Sequence, residues 1–190
     1  MMNEEEAKIP ANHLRIEKLS PAHKDILSSL KSYEQELVNF LMEDALDQQE
    51  KMISITYLWF LKGTNDFVGY ITLLADKISL DSPLKEEFRN IGVNYKSLPA
   101  MKIGRLCVDD RFTRRGIGKL MVEFAIYQAK KVCERVGCRF ITLDAKRNED
   151  KSKDSLHFYK KMGFNILKVR QKGTTPMYKD ISKITEYINK

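Results

Sequence analysis

The stretch KIGRLCVDDRFTRRGIGK, residues 102–119, has the pattern of a strand, a turn and a glycine-rich loop that opens a helix. Its first seven residues hold a short apolar run with a β-branched end, which predicts a buried strand. The two aspartates at positions 109 and 110 end this strand. After Gly118, apolar residues recur at helical spacing up to Val136, which predicts a long amphipathic helix with Gly137 as its C-cap.

The loop has two glycines, Gly116 and Gly118, whose backbone can approach a ligand closely because they lack a Cβ. A loop that opens a helix also directs unpaired N–H groups outward, where the helix dipole favours an anion. These features fit a pyrophosphate site, although a tight turn would explain the glycines equally well. The loop is not the dinucleotide fingerprint, because Met121 occupies the place of the third glycine, and it lacks the P-loop spacing.

The composition indicates one soluble globular domain. The chain has 190 residues, of which 43% are hydrophobic and 31% are charged. We expect no membrane span and no secretory signal, because no apolar run is long enough and the N-terminus is acidic. Cys107, Cys133 and Cys138 lack metal-ligand spacing, so we expect no metal and reduced thiols in a cytoplasmic protein.

The net charge of +7 is unevenly distributed along the chain. Residues 1–100 contain 11 Lys or Arg and 16 Asp or Glu, whereas residues 101–190 contain 22 and 10. The basic half includes the glycine loop. Such a field attracts an anionic cofactor or nucleic acid, although surface lysines also serve solubility alone.

The remaining pattern predicts an α/β fold. Residues 1–12 read as a flexible tail, and residues 76–99 as an insertion between strands that could cover a substrate cleft. Gly69 within a strand marks a bulge or a close backbone approach. The predicted strands are residues 13–18, 53–61, 67–74, 102–108, 139–145, 164–169 and 175–179. The predicted helices are residues 33–49, 83–88, 117–136, 155–162 and 181–189.

Two segments together, RLCVDDRFTRRGIGKLM and SLHFYKKMGF, resemble the GCN5-related N-acetyltransferase (GNAT) superfamily. The family loop reads Gln/Arg-x-x-Gly-x-Gly/Ala, and a later helix carries Ala-x-x-Phe-Tyr-x-x-x-Gly-Phe. Thr113 departs from the Gln or Arg of the loop, and Ser155 replaces the alanine of the helix. The matching residues are Gly116, Gly118, Phe158, Tyr159, Gly163 and Phe164.

This resemblance implies a single N-acetyltransferase domain over residues 1–190, with a mixed central sheet of about six to seven strands flanked by helices. It also implies acetyl-CoA as cofactor, bound in a splay between the central strands. In the family, the strand backbone pairs with the pantetheine arm and the loop takes the pyrophosphate. The cofactor-binding residues implied in this way are Leu106, Cys107, Val108, Arg114, Arg115, Gly116, Ile117, Gly118, Lys119, Asn148, Ser155 and Phe158.

The resemblance further implies direct transfer of acetyl to a primary amine. Tyr159 matches the tyrosine whose hydroxyl gives a proton to the departing thiolate, and a phenol has that proton at neutral pH. No general base is evident, because the strand of residues 102–108 has no carboxylate; Asp109, Asp110, His157 and water remain alternatives. Cys107 is not expected to be a nucleophile, because the family forms no acyl-enzyme.

The acceptor is less constrained than the donor. The first expectation is an amine of a small molecule or protein, in an enzyme that could be a homodimer. The segments ELVNFLMEDALDQQEKMISITYLWF and FVGYITLLAD also resemble the branch that includes toxin–antitoxin acetyltransferases acting on aminoacyl-tRNA, which fits the basic half of the chain. A second alternative is a non-catalytic module that binds acyl-CoA or RNA.

Overall fold

The computed structural model describes residues 7–148, 154–170 and 173–184. It confirms the predicted α/β class. Seven strands form one sheet in the order β1-β2-β3-β4-β5-β7-β6. Their bounds are β1 Leu14–Lys18, β2 Ile55–Leu61, β3 Phe67–Ser79, β4 Ser97–Val108, β5 Phe140–Lys146, β6 Asn165–Ile166 and β7 Thr174–Asp180.

Helices connect and flank these strands. The α-helices are α1 Lys24–Leu27, α2 Gln35–Asn39, α3 Ala45–Glu50, α4 Ser82–Asn90, α5 Ile117–Cys133 and α6 Ser155–Lys161. A π-helical turn, Phe40–Asp44, joins α2 to α3, so the predicted helix of residues 33–49 is one run with a change of hydrogen-bond pattern. Among the described residues, no helix is long and apolar enough to cross a bilayer.

The chain divides into two compact units. The first comprises Met1–Leu74 and Ile103–Phe124, and the second comprises Ala75–Lys102 and Ala125–Lys190. The division passes through β3, β4 and α5 rather than through a linker. The single-domain assignment stays a prediction.

The core of the first unit lies between helical residues and the β1–β2–β3 meander. Both strand pairs of the meander are antiparallel. Burial of these apolar side chains contributes on the order of 1.5–3 kcal/mol for each large one. The core of the first unit includes Leu41, Leu58, Phe60, Phe67 and Tyr70.

A β-bulge in β3 confirms the prediction made for Gly69. The β2–β3 register shifts between Trp59 and Phe60, which leaves Val68 as the extra residue. Gly69 has φ +147°, and a Cβ there would lie 2.2 Å from the carbonyl oxygen of Cys107. Only glycine therefore allows β3 to approach the end of β4 so closely.

The core of the second unit packs α4 against β5 and β7. Phe88 and Tyr178 each contact Phe140 edge to face, with ring centroids 5.8 Å apart. The predicted insertion of residues 76–99 is mostly regular structure here. β3 continues to Ser79, α4 covers the helix predicted for residues 83–88, and β4 begins at Ser97. Apolar residues such as Ile78 and Leu80, both buried, extend the strand beyond the predicted end.

Three other boundaries differ from the prediction. The helix of residues 117–136 ends at Cys133, and the amides of Arg135 and Val136 instead bond the carbonyl of Val132 in a turn. Gly137 is therefore not its C-cap. The strand of residues 164–169 is shortened to Asn165–Ile166. Residues 181–184 of the predicted helix 181–189 form a bend and a turn rather than a helix, and residues 185–189 lie outside the described residues.

The predicted tail of residues 1–12 is anchored near its end. Ile9 is buried, and its N–H donates to the carbonyl of Arg115 at 3.0 Å. Apolar burial and a distant backbone acceptor thus hold the segment, which no local sequence pattern shows. Residues 1–6 lie outside the described residues.

Candidate cofactor site and catalytic tyrosine

A buried carboxylate organises the turn between β4 and the glycine loop. Asp109 has no exposed surface, and it accepts hydrogen bonds from the amides of Lys31 and Arg111, each at 2.9 Å. The Arg111 guanidinium adds two further bonds of 2.8 Å, one to each carboxylate oxygen. Because every interaction of Asp109 is used in this way, the geometry assigns it to structure rather than to catalysis as a base.

Burial alone would raise the pKa of the Asp109 carboxyl. The hydrogen bonds from Arg111 and from the amides of Lys31 and Arg111 outweigh that effect, so the pKa of Asp109 is lowered from its ordinary value. Lys31 and Arg111 were not identified from the sequence. Lys31 is 78 residues from Asp109, and no sequence signal marks that contact.

The start of α5 has the unpaired donors that an anion site needs. The first helical N–H with a partner is that of Leu120, which donates to Gly116 at 3.2 Å. Among the described residues, no backbone carbonyl accepts from the amides of residues 117–119. Gly116 has φ +86°, and a Cβ there would meet no atom within 4 Å. The loop therefore leaves open space beside unpaired amides, and this fits the pyrophosphate of acetyl-CoA.

The cationic side chains of the loop differ in how far their contacts within the protein already occupy them. Arg114 is exposed with φ +60°, and Lys119 is exposed with a 3.7 Å ion pair to Glu123. Arg115 donates through Nε to the carbonyl of Ala7 at 3.3 Å, so its guanidinium is partly committed to the N-terminal segment. Ile117 is buried, so only its backbone is available to a ligand.

The end of β4 places Cys107 in the core and its neighbours nearer the surface. Leu106 and Val108 are half-buried, and Cys107 is buried. Burial raises the pKa of the Cys107 thiol to about 11. Such a thiol is protonated at neutral pH, which supports the expectation that Cys107 is not a nucleophile.

Tyr159 is fixed by the way α6 ends. The amide of Gly163 bonds the carbonyl of Lys160 at 3.0 Å, and the amide of Phe164 bonds that of Tyr159 at 3.1 Å. This is a Schellman motif, which needs the left-handed φ of +79° at Gly163. Phe164 then packs edge to face on Tyr159, with ring centroids 5.7 Å apart. The Phe-Tyr-x-x-x-Gly-Phe pattern thus orients the tyrosine through a helix cap.

The surroundings of Tyr159 keep its phenol protonated. The side chain is buried, and this burial raises the pKa of the hydroxyl. Lys179 strengthens the cap by donating from Nζ to the carbonyl of Met162 at 2.5 Å. A protonated, fixed phenol has the properties of a general acid.

The other predicted residues of the second unit lie near α6 or after β5. Phe158 is half-buried beside Tyr159, and the Ser155 hydroxyl donates to the carbonyl of Lys146 at 2.9 Å, which commits it to the helix start. Asn148 lies two residues after β5, so its cofactor role stays a prediction. His157 is exposed.

The structure thus brings the predicted residues together in two groups, one in each unit. Residues 106–119 form the strand-and-loop group of the first unit, and Tyr159 with its neighbours forms the second. A cavity of about 330 Å³ in the second unit, lined in part by Leu84, Tyr178 and Lys183, contains none of them. Within the described residues, no group of three or more metal-binding side chains occurs.

Solved structures with this fold include the toxin AtaT and the protein KacT. AtaT complexed with acetyl-methionyl-tRNA gives a TM-score of 0.74 at 22% identity, over 90% of this chain and 96% of that chain. A Tyr-to-Phe variant of KacT gives the same TM-score, identity and coverage. AtaTR bound with acetyl-CoA gives 0.71 at 24% identity, over 90% and 95%. At these identities the likeness shows the fold.

Family membership rests on the sequence itself. Among curated protein sequences, none matches this chain significantly. The model of the acetyltransferase (GNAT) family matches residues 23–164, which is well over half of the chain and includes both the glycine loop and the Tyr159 motif. The fold, the enzyme class and the cofactor expected from the resemblance are thereby confirmed. The chain belongs to the acetyltransferase (GNAT) family and is an N-acetyltransferase that uses acetyl-CoA.

Proposed function

We propose that this enzyme transfers the acetyl group to the α-amine of the aminoacyl group on charged tRNA. The observation that carries the proposal is the likeness, over 90% of this chain, to AtaT complexed with acetyl-methionyl-tRNA. It favours the tRNA alternative over the small-molecule or protein amine that the sequence suggested first. The non-catalytic alternative has no support in these comparisons.

The charge distribution supports the same acceptor. Residues 101–190 contain 22 Lys or Arg against 10 Asp or Glu. Exposed cations of the second unit include Lys160, Lys161, Lys168 and Arg170. Cations that neutralise phosphates release counterions, and this supplies affinity for nucleic acid at moderate salt.

The proposed mechanism assigns a separate role to each group of residues. Bound acetyl-CoA supplies an acyl group activated as a thioester. The open amides of residues 117–119 would hold the pyrophosphate, and the backbone of residues 106–108 would pair with the pantetheine arm. The neutral amine would attack the thioester carbon to form the C–N bond, the C–S bond would break, and Tyr159 would give its phenolic proton to the departing sulfur. The proton lost from the amine nitrogen would pass to water, and a proton from water would restore the phenol.

The test is transfer of labelled acetyl from acetyl-CoA to bulk aminoacyl-tRNA. Parallel reactions contain deacylated tRNA, a polyamine and a Lys-bearing peptide. We expect label on aminoacyl-tRNA alone. Tyr159→Phe keeps the ring that packs on Phe164 but removes the proton, so kcat should fall by about 10²-fold or more while the melting temperature holds.

Two results would contradict the proposal. Label on the polyamine or peptide, with none on aminoacyl-tRNA, would return the acceptor to a small-molecule or protein amine. Unchanged turnover in Tyr159→Phe would remove the tyrosine from the mechanism, whatever the acceptor.

A further inference from the structure

Arg105 on β4 lies close to the strand segment assigned to the pantetheine arm. It is two residues before Cys107, a separation of about 6.6 Å along a strand. Its guanidinium carbon lies 5.0 Å from the centre of the Phe40 ring, and its side chain is 39% exposed. A cation thus lies in the first unit near the proposed donor position, and the mechanism above does not use it.

The hydrogen bonding of Arg105 is incomplete. One NH1 bond goes to the neighbouring Gly104 carbonyl at 2.9 Å, and NH2 lies 3.6 Å from the Glu36 carboxylate, beyond a good hydrogen bond. Its Nε is buried without a partner among the described residues. Arg111, by contrast, holds Asp109 through two bonds of 2.8 Å. A guanidinium left in this state calls for an explanation beyond the fold.

The platform under Arg105 is firmly held. Phe40 begins the π-helical turn, and its ring stacks on Tyr70 with centroids 6.3 Å apart. The Tyr70 hydroxyl donates to the carbonyl of Leu37 at 2.7 Å, which ties the helix to the sheet at this point. Single π-helical turns occur frequently at functional sites, and this one sets the ring against which the guanidinium lies.

We propose that Arg105 is an acceptor-binding residue that takes a backbone phosphate of the tRNA end, and that Glu36 holds the guanidinium until the acceptor arrives. This inference rests on the proposed function. A guanidinium binds phosphate through two parallel hydrogen bonds, which the long contact to Glu36 does not provide. Glu36 is 66% exposed on its side chain, so a phosphate can displace it.

The chemistry of the acceptor favours phosphate over carboxylate. In aminoacyl-tRNA the carboxyl group of the amino acid is esterified, so the amine has no carboxylate beside it. The nearest anion is a phosphate of the nucleotide backbone. A free amino acid would instead present a carboxylate to the same guanidinium, and the salt dependence of binding separates the two.

The test measures KM for aminoacyl-tRNA in three variants. Arg105→Gln should raise this KM about tenfold, with kcat and the KM for acetyl-CoA nearly unchanged. Glu36→Gln should lower it, because the competing carboxylate is gone. Arg15→Gln is the matched control and should leave kcat and both KM values unchanged. Arg15 is a suitable match because it also lies over an aromatic ring, 4.7 Å from the centre of Phe60, pairs with Glu17 and is 38% exposed.

Salt dependence identifies the phosphate. If Arg105 neutralises one phosphate, the slope of log KM against log salt should fall by about 0.7–0.9 in Arg105→Gln. An unchanged slope with a raised KM would indicate that Arg105 contacts an uncharged group of the acceptor and would overturn the phosphate assignment. Arg105→Lys keeps the charge and should retain the slope even where the bidentate geometry is lost.

Other outcomes would reject the inference without touching the proposed function. If wild type acetylates aminoacyl-tRNA but Arg105→Gln keeps the same KM, Arg105 does not bind the acceptor. If Arg105→Gln and Glu36→Gln both raise the KM for aminoacyl-tRNA and both lower the melting temperature, the pair is only structural. If wild type does not acetylate aminoacyl-tRNA at all, the proposed function itself fails.

Discussion

The glycine loop and the end of α6 look alike in sequence but use their glycines for different purposes. Gly116 and Gly163 both have a left-handed φ, +86° and +79°. Around Gly116 a Cβ would meet nothing within 4 Å, whereas at Gly163 it would lie 3.1 Å from Nζ of Lys179. The first glycine leaves space for a ligand, and the second allows a helix cap to close.

The two regions also differ in how far apart in the sequence their stabilising contacts lie. The turn before the glycine loop depends on Asp109, which bonds Lys31 far away in the chain. The end of α6 is closed mainly by bonds among residues 158–164, three to five positions apart. A motif in a short helix cap is thus self-contained, whereas a ligand loop of the same appearance depends on the rest of its unit.

The largest expected effect tests the long-range support of the loop. Asp109→Asn removes a buried carboxylate that accepts charge-assisted bonds, so we expect a loss of about 2 kcal/mol in unfolding free energy at neutral pH. Urea denaturation measures this loss. The control is Asp110→Asn, which changes the exposed neighbouring aspartate. Equal stability of both variants would break the comparison, because the loop would then not depend on Asp109.

The same substitution predicts a change in pH dependence. The folded-state pKa of Asp109 is lowered, so its contribution is present above the unfolded-state pKa and is lost as pH falls through the folded-state pKa. Between neutral pH and about pH 3, the wild type should therefore lose more stability than Asp109→Asn. A steeper acid loss in the variant would show that the sign is wrong.

A smaller effect tests the open space at the loop. Gly116→Ala should weaken acetyl-CoA binding about tenfold, roughly 1.4 kcal/mol, because the new methyl group occupies the space beside the amides. Isothermal titration with coenzyme A measures it. The control is Gly63→Ala, since Gly63 has φ +91° and also no neighbour within 4 Å. Equal weakening in both variants would point to backbone strain alone.

The smallest effect tests the helix cap. Gly163→Ala should cost about 1 kcal/mol of stability, because a left-handed residue with a Cβ is strained and Lys179 must move slightly. Acetyl-CoA affinity of the folded variant should stay unchanged. A tenfold loss of affinity without a loss of stability would reverse the roles given to the two glycines.

Local patterns were enough to predict much of the fold. The β-branched and aromatic residues of β2 predict a strand, and the apolar stripe of α5 follows from side-chain periodicity. The roles of Gly69 and of the cap at Gly163 follow from glycine's access to positive φ. Tyr159 could be singled out because it lies in a short segment that matches a family motif. These features depend on residues only a few positions apart.

The remaining features depend on contacts that no local pattern encodes. The extension of β3 to Ser79 is favoured by burial of Ile78, and the acidic residue before it masked the strand. The sequence placed Arg105 in a strand but did not indicate its pairing with Glu36, because the two residues are 69 positions apart. The attachment of Ile9 to Arg115 joins residues 106 positions apart, so no local pattern marked it within the predicted tail.

The bond between Ile9 and Arg115 also has a consequence for the order of folding. It closes a ring of more than 100 residues, as does the bond from Arg115 to Ala7, whose sequence separation is 108. Loop closure of that length opposes early formation, so these contacts form after the local helices and hairpins. During translation the N-terminal segment leaves the ribosome about a hundred residues before its partner. The glycine loop proposed to bind the pyrophosphate therefore gains its contacts with this segment late.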